Sequence, residues 1–230
     1  MRVNWRIKWR YNFRMRTACC LSPLDRFIAE LDRALRSACP ASFHTAAREN
    51  PAAAQPANEL SAQERSLSGR LMRVNHAGEV AAQALYQGQA FTAHSDDMRN
   101  GMAQSAAEEI DHLVWCEQRL QELRASTSRL DPFWYLGSFA IGALAGLVGD
   151  KFSLGFVAET EHQVVQHLQG HLQRLPAGDQ KSRVILQQMK EDEARHGSTA
   201  IRAGGKSMPA SVRALMRLTA KMMTATAYWI

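Results

Sequence analysis

Two of the Glu-x-x-His tetrapeptides in this sequence have the residue types and spacing that indicate chemistry. One contains Glu109 and His112, and the other contains Glu193 and His196. On an α-helix, side chains three residues apart point about 60° apart around the axis and lie about 4.5 Å apart along it. One metal ion can therefore contact both. A single tetrapeptide of this kind arises often by chance, whereas two of them on separate predicted helices indicate a metal centre.

Two further glutamates lie at matching distances before the tetrapeptides. Glu79 precedes Glu109 by 30 residues, and Glu161 precedes Glu193 by 32 residues. In an antiparallel helix hairpin, two residues face each other only when the turn falls midway between them. The midpoints are residues 94 and 177, beside a Ser-Asp-Asp break and inside a Pro-Ala-Gly turn. Each predicted hairpin therefore places one lone glutamate opposite one Glu-x-x-His pair.

Together these residues supply four carboxylates and two imidazoles, the ligand set of di-iron and di-manganese carboxylate bundles. Four ionised glutamates neutralise two divalent cations, so a buried site of this kind carries no large net charge. Oxygen donors with one imidazole per metal suit iron or manganese better than zinc or copper. We expect two Fe ions per chain if the site activates dioxygen. The predicted ligands are Glu79, Glu109, His112, Glu161, Glu193 and His196.

Neighbouring acidic residues compete for two of these assignments. Glu159 would point to a different helix face from Glu161, and the position of the turn favours Glu161. Glu108 directly precedes Glu109, but only Glu109 has a histidine three residues later. The predicted ligand set therefore keeps Glu109 and Glu161.

Three other polar residues lie close to the predicted ligands in sequence. Glu191 and Asp192 are expected to be solvated neighbours of Glu193. His167 lies six residues beyond Glu161, near the same helix face but not on it. We therefore treat His167 as a candidate that supports the ligands without binding metal itself.

The pattern of apolar residues is helical almost everywhere after Ser61, and no alternating strand pattern of any length occurs. The 52 residues between Glu109 and Glu161 are too many for a short hairpin turn, but they suit the long crossover of a ferritin-like bundle. We therefore predict an all-α, ferritin-like four-helix bundle with a long crossover and additional N- and C-terminal helices. The predicted helices span about 61–93, 97–124, 131–148, 150–175, 179–203 and 209–228.

The basic charge of the chain is confined to its N-terminus. The formal net charge is +6, and six basic residues precede the first acidic residue, Asp25, so the remainder is balanced. This distribution predicts no nucleic-acid-binding surface. The four cysteines form no CxxC pair, which fits a reducing cytoplasm rather than a zinc or disulfide framework. We divide the chain into a basic tail (1–20), expected to be non-native or disordered, a short helix with an Ala/Pro-rich linker that we expect to be mobile (21–60), and the bundle domain (61–230).

An uncharged apolar segment runs over residues 133–148, with Trp134 and Tyr135 at its start. Spanning a bilayer takes about 20 apolar residues, so this segment is short for a transmembrane helix. It could form a buried crossover helix, or an interfacial helix with aromatic anchors that lies on a membrane. The sequence leaves both interpretations open.

Several blocks of the sequence resemble the demethoxyubiquinone hydroxylase family of ubiquinone biosynthesis. The resemblance covers about residues 60–230, and its first block is the most specific to that family. The blocks are RVNHAGE at 73–79, ALYQGQ at 84–89, EEIDHL at 108–113, ETEH at 159–162 and KEDEARH at 190–196.

The resemblance implies that the six predicted ligands match the iron ligands of the family. It also implies hydroxylation of the quinol ring of a polyprenylated ubiquinone precursor, with dioxygen and an electron source. The implied partners are the membrane surface and other ubiquinone-biosynthesis proteins, and the implied location is peripheral, on the cytoplasmic side of the cell membrane. One departure is Leu168, where some members have a tyrosine after the histidine that matches His167.

Three other functions would use a similar bundle. A ferritin-like iron store or a manganese catalase would need the same ligands without a membrane face. A non-enzymatic, membrane-associated quinone- or lipid-binding bundle would need the apolar face without the metal. No Gly-rich dinucleotide fingerprint is present, so an internal NADH site is not predicted.

Overall fold

The structure is a computed structural model, and it describes residues 45–56 and 59–230. No strand occurs within these residues, which confirms the all-α prediction. The predicted basic tail and the short helix predicted from Ser22 lie outside them. The six helices are α1 (Ala62–Thr92), α2 (Asp96–Glu122), α3 (Asp131–Val148), α4 (Asp150–Arg174), α5 (Gln180–Arg202) and α6 (Ala210–Ala227).

Local capping interactions set the ends of these helices. Ser61 and Glu64 form a capping box at the start of α1, as their spacing predicts. The side chains of Ser95 and Asp179 accept backbone hydrogen bonds at the starts of α2 and α5. Gly149 has φ of 126°, a backbone conformation that favours glycine, and it separates α3 from α4.

The helices pack as two hairpins joined by a crossover. The α1–α2 and α4–α5 turns occupy residues 93–95 and 175–179, which contain both predicted midpoints. Helix α3 packs along α1 and connects the two hairpins. One hydrophobic core joins all four bundle helices through Leu71, Trp115, Leu168 and Ile185. This arrangement confirms the ferritin-like bundle.

Helix α3 packs on α1 through closely spaced backbones. A Cβ atom at Gly142 would lie 2.2 Å from the carbonyl oxygen of Leu85, and one at Gly88 would lie 2.2 Å from that of Phe139. Only glycine permits this approach on both helices. Within the described residues nothing covers the opposite face of α3, and Phe133 is 69% exposed. This exposure favours the interfacial interpretation over a buried crossover helix.

The described part of the predicted linker, residues 45–56, lies against the bundle. Ala52 is buried and belongs to the same hydrophobic core as Leu71 and Trp115. Arg48 forms ion pairs with Asp111 of α2 and Asp192 of α5. These contacts differ from the expectation of a mobile linker.

Candidate metal centre

Four helices bring the six predicted ligands together inside the bundle. Helix α1 carries Glu79, and α4 carries Glu161. Helices α2 and α5 each carry one Glu-x-x-His pair. Five of the six side chains are buried and His196 is half-buried.

Three carboxylates face the imidazole of His112. Its Nδ1 atom lies 3.0 Å from Glu109 Oε2, 3.0 Å from Glu193 Oε1 and 3.5 Å from Glu79 Oε2. One ligand atom from each of these four residues lies within 4.8 Å of every other. The four side chains could therefore hold one metal ion.

The second imidazole shares two of these carboxylates. His196 Nδ1 lies 3.2 Å from Glu109 Oε1 and 3.3 Å from Glu193 Oε2. Glu109 and Glu193 thus each direct one oxygen toward each imidazole. Glu161 interacts with Glu193, and its Cβ atom would lie 3.2 Å from a Cβ atom at Gly197, the residue after His196. The geometry fits two adjacent cation positions that share Glu109 and Glu193.

If all four buried carboxylates were ionised, they would carry more negative charge than two protonated imidazoles could balance. Burial raises the pKa of Glu79 to about 8. Burial, together with the charges of Glu193 and Glu109, raises the pKa of Glu161 well above its usual range. Both groups therefore favour their protonated forms, in which a proton supplies the positive charge that a bound cation would supply.

Charge pairing dominates at Glu109 and at the two histidines. Burial acts to raise the pKa of Glu109, but its interactions with His112 and His196 outweigh burial and lower it. Burial acts to lower the pKa of His196, but Glu109 and Glu193 raise it to about 11. Glu109 Oε1 is buried without a well-aligned hydrogen-bond donor, so it offers a free lone pair. Oxygen-rich donors of this kind fit a pair of divalent cations.

A carboxylate contacts the outer nitrogen of each imidazole. His112 Nε2 lies 3.0 Å from Asp192 Oδ2, and His196 Nε2 lies 2.8 Å from Glu108 Oε2. A donor–acceptor pair on the outer nitrogen fixes the ring and leaves Nδ1 free to bind metal. The expectation that Asp192 is solvated is wrong, because it is fully buried against His112. Charge and sequence position alone do not reveal that contact.

The competing glutamates occupy other positions. Glu159 is half-buried and accepts a hydrogen bond from Gln163, whereas Glu161 is buried inside the cluster. Glu108 contacts His196 from outside the group of predicted ligands. Glu191 is exposed, as expected.

His167 packs against His171 on the same helix, with ring centroids 4.0 Å apart. Burial lowers the pKa of His167 to about 4, so its ring is neutral at physiological pH. His171 Nδ1 lies 2.8 Å from Asn75 Oδ1. No described contact joins His167 to the six predicted ligands, and its supporting role stays a prediction.

Tyr86 is a residue of the site that sequence reasoning missed. Its hydroxyl donates a 2.5 Å hydrogen bond to Glu161 Oε1, and burial raises its pKa well above the usual range. Tyr86 lies seven residues after Glu79 on α1, which is about two helical turns. That spacing on one helix face is the signal that could have identified it.

The ubiquinone biosynthesis protein COQ7 family model matches residues 66–227. A 3-demethoxyubiquinol 3-hydroxylase of Nitrosococcus oceani is 60% identical over 210 residues, covering 91% of this chain and 98% of that protein. The protein of that name from Cupriavidus pinatubonensis is 56% identical, over 90% of this chain and 100% of its own length. The Legionella pneumophila (strain Corby) protein of that name is 52% identical, over 94% of this chain and 100% of its own length. The chain therefore belongs to the COQ7 family of ubiquinone biosynthesis proteins.

Proposed function

We propose that this chain is an oxygen-dependent di-iron hydroxylase acting on the ring of a polyprenylated methoxy-benzoquinol precursor of ubiquinone. The observation that carries the proposal is the pair of imidazoles that share Glu109 and Glu193. The relatives named 3-demethoxyubiquinol 3-hydroxylase support the substrate and the reaction.

The six side chains would hold two iron ions, which supply the activation of dioxygen when bound. His112 and Glu79 would serve one position, and His196 and Glu161 the other, since these pairs lie on opposite sides of the shared carboxylates. Tyr86 holds Glu161 through its hydroxyl. Buried apolar side chains lie within two helical turns of the ligands on the same helices, and we expect them to exclude water from the reacting ring. They include Met102, Ala106, Cys116, Val157 and Met189.

A peripheral position on the cytoplasmic side of the cell membrane accounts for the apolar face of the protein. Helix α3 is long and apolar enough to cross a membrane by length and composition alone. Its exposed residues include Phe133, Leu136, Leu144 and Leu147, and those of α6 include Leu215, Leu218 and Met222.

Helix α6 also carries a charge pattern that suits an anionic lipid surface. It has three basic residues, Arg213, Arg217 and Lys221, and no acidic residue. Amphipathic helices with basic residues beside an apolar face bind at the interface of anionic membranes. This pattern supports a lipid surface as the partner of the exposed face.

A cavity of about 10 Å³ lies between α1 and α4, which is room for about one water molecule and too little for a quinol ring. Its lining includes Leu85, Tyr86, Phe156 and Glu161. Leu85 and Phe156 also pack with Ala145 of α3 and with residues of α6. We propose that α1 and α4 move apart at this cavity, so that an apolar quinol approaches Glu161 from the α3–α6 side.

Restoring ubiquinone synthesis in a bacterial strain that lacks the hydroxylation step tests the proposal. We expect the intact chain to restore it and Glu109→Ala to fail. Glu191→Ala is the matched control, because Glu191 is exposed beside the centre and should retain function. The purified protein should consume dioxygen with a demethoxyubiquinol substrate. Peroxide dismutation alone would favour a catalase, and an intact chain that neither restores ubiquinone nor converts the quinol would contradict the proposal.

A further inference from the structure

The two imidazoles of the proposed centre are supported by unequal carboxylates. Asp192, which contacts His112 Nε2, is fully buried. Glu108, which contacts His196 Nε2, has a side chain that is 39% exposed. The carboxylate that contacts His112 is therefore shielded from water, whereas the carboxylate that contacts His196 is open to water.

Arg195 and Gln188 of α5 donate to Asp192 Oδ1 over 2.7 and 3.2 Å, and the other oxygen of Asp192 contacts a residue outside the four bundle helices. Arg48 Nη1 donates to Asp192 Oδ2 over 2.7 Å, and Arg48 Nε donates to Asp111 Oδ2 over 2.6 Å. Its guanidinium also lies 4.8 Å from the centre of the Trp115 ring. One planar fork thus joins two helices across the outer side of His112.

Neighbouring contacts hold Arg48 in this position. The backbone N–H of Ala47 donates to Asp111 Oδ1 over 2.6 Å. The Asn50 side chain donates to Gln118 over 2.7 Å, and Ala52 is buried in the core. Several adjacent attachments distinguish this segment from an isolated surface ion pair, which contributes little.

We infer that Arg48 is a positioning residue. It fixes Asp192, and Asp192 in turn fixes the His112 ligand. Residues 45–52 therefore form one side of one of the two metal positions. The inference rests on the proposed di-iron centre and adds a fifth chain segment to it. The orienting partner of a metal-bound histidine contributes about 10–100-fold to metal affinity. Loss of Arg48 should therefore weaken the His112 position and spare the His196 position.

Metal binding by the full-length chain tests the inference without an activity assay. Co²⁺ is the probe, with equilibrium dialysis for affinity and visible absorption for ligand geometry. We expect two bound Co²⁺ per wild-type chain and weaker binding of one of them in Arg48→Gln, by at most the about 10–100-fold that loss of Asp192 itself would cause. The absorption of that ion should also change. Arg99→Gln, which removes an exposed arginine paired with Asp96, should bind both ions as the wild type does.

Two further variants make the test specific to this geometry. In Arg48→Lys a single ammonium cannot bridge both aspartates as the guanidinium fork does, so it should also weaken one ion. This variant decides the matter if Arg48→Gln does not fold. Glu108→Gln should weaken the other ion instead, and its absorption change should differ.

The outcomes separate this inference from the proposed function. Wild-type affinities and spectra for both ions in folded Arg48→Gln or Arg48→Lys would overturn the role of Arg48 and leave the di-iron centre standing. A wild-type chain that binds neither Co²⁺ nor Fe²⁺ at the six ligands would overturn both.

Discussion

Replacing Glu109 or Glu79 by glutamine distinguishes a shared carboxylate from one that serves a single metal position. Glu79 has a pKa raised to about 8 by burial, so in the metal-free protein at pH 7 it is mainly protonated. Glutamine resembles that neutral acid in shape and charge. We therefore expect metal-free Glu79→Gln to unfold several °C above the wild type at pH 7, because the wild type must keep Glu79 protonated about 2.5 pH units above its ordinary pKa and glutamine need not.

Glu109→Gln should behave differently before any metal is added. The pKa of Glu109 is lowered by His112 and His196, so the ionised carboxylate pairs with both imidazoles. Removing one partner of a buried ion pair costs about 3–5 kcal/mol. For a protein of this size, each kcal/mol shifts Tm by about 2–4 °C. The expected decrease in the Tm of the metal-free variant is therefore about 6–20 °C.

The increase in Tm on adding metal should also differ between the two variants. A ligand at 100 times its Kd stabilises the folded state by about 2.7 kcal/mol per site. Two sites should thus raise the wild-type Tm by about 10–20 °C. Glu79→Gln should keep about half of that increase, because the His196 position retains its ligands. Glu109→Gln should lose most of it, since Glu109 faces both imidazoles.

Differential scanning calorimetry with and without Fe²⁺, under anaerobic conditions, measures both effects. Glu191→Gln, at an exposed position beside the centre, is the control for substitution alone. Equal metal-free Tm values for Glu109→Gln and Glu79→Gln would refute the charge assignment. A full metal-induced increase in Glu109→Gln would refute the shared carboxylate.

Three further predictions concern pH, the Tyr86 hydroxyl and the apolar face. Because the folded-state pKa of Glu79 is raised to about 8, the stability that it contributes is present at acid pH and lost as the pH rises through 8. The metal-free wild type should therefore lose more Tm between pH 5 and 8 than Glu79→Gln, in parallel thermal scans. Tyr86→Phe, which removes the hydrogen bond to the proposed ligand Glu161, should bind two metal ions but lower kcat by about 10–100-fold, measured by quinol turnover. Leu144→Glu with Leu218→Glu should reduce sedimentation with anionic liposomes at unchanged iron content, since both side chains are exposed.

The helices and four-helix arrangement could be predicted because their signals are local or periodic. Ser61 and Glu64 begin α1 through a capping box, and Gly149 ends α3 through its backbone conformation. The spacing of Glu79 from Glu109 placed the first turn, because a hairpin fixes which residues face each other. Such signals require no knowledge of distant contacts.

The contacts that hold the histidine ligands in place could not be predicted, because they join residues that are far apart in the sequence. Arg48 and Asp192 are 144 residues apart, and no periodic pattern links them. An Ala- and Pro-rich segment is typical of a linker, so composition alone indicates nothing about its contact with α2. The close packing of α3 on α1 likewise depends on two glycines that meet only in the folded chain.

Anomalous X-ray diffraction at the iron absorption edge tests the central claim most directly, with crystals of full-length protein purified from iron-supplied cells. The account predicts two iron peaks about 3.5–4 Å apart. Both should lie between Glu109 and Glu193, one beside His112 and the other beside His196. A single peak, or peaks away from these four residues, would contradict the account.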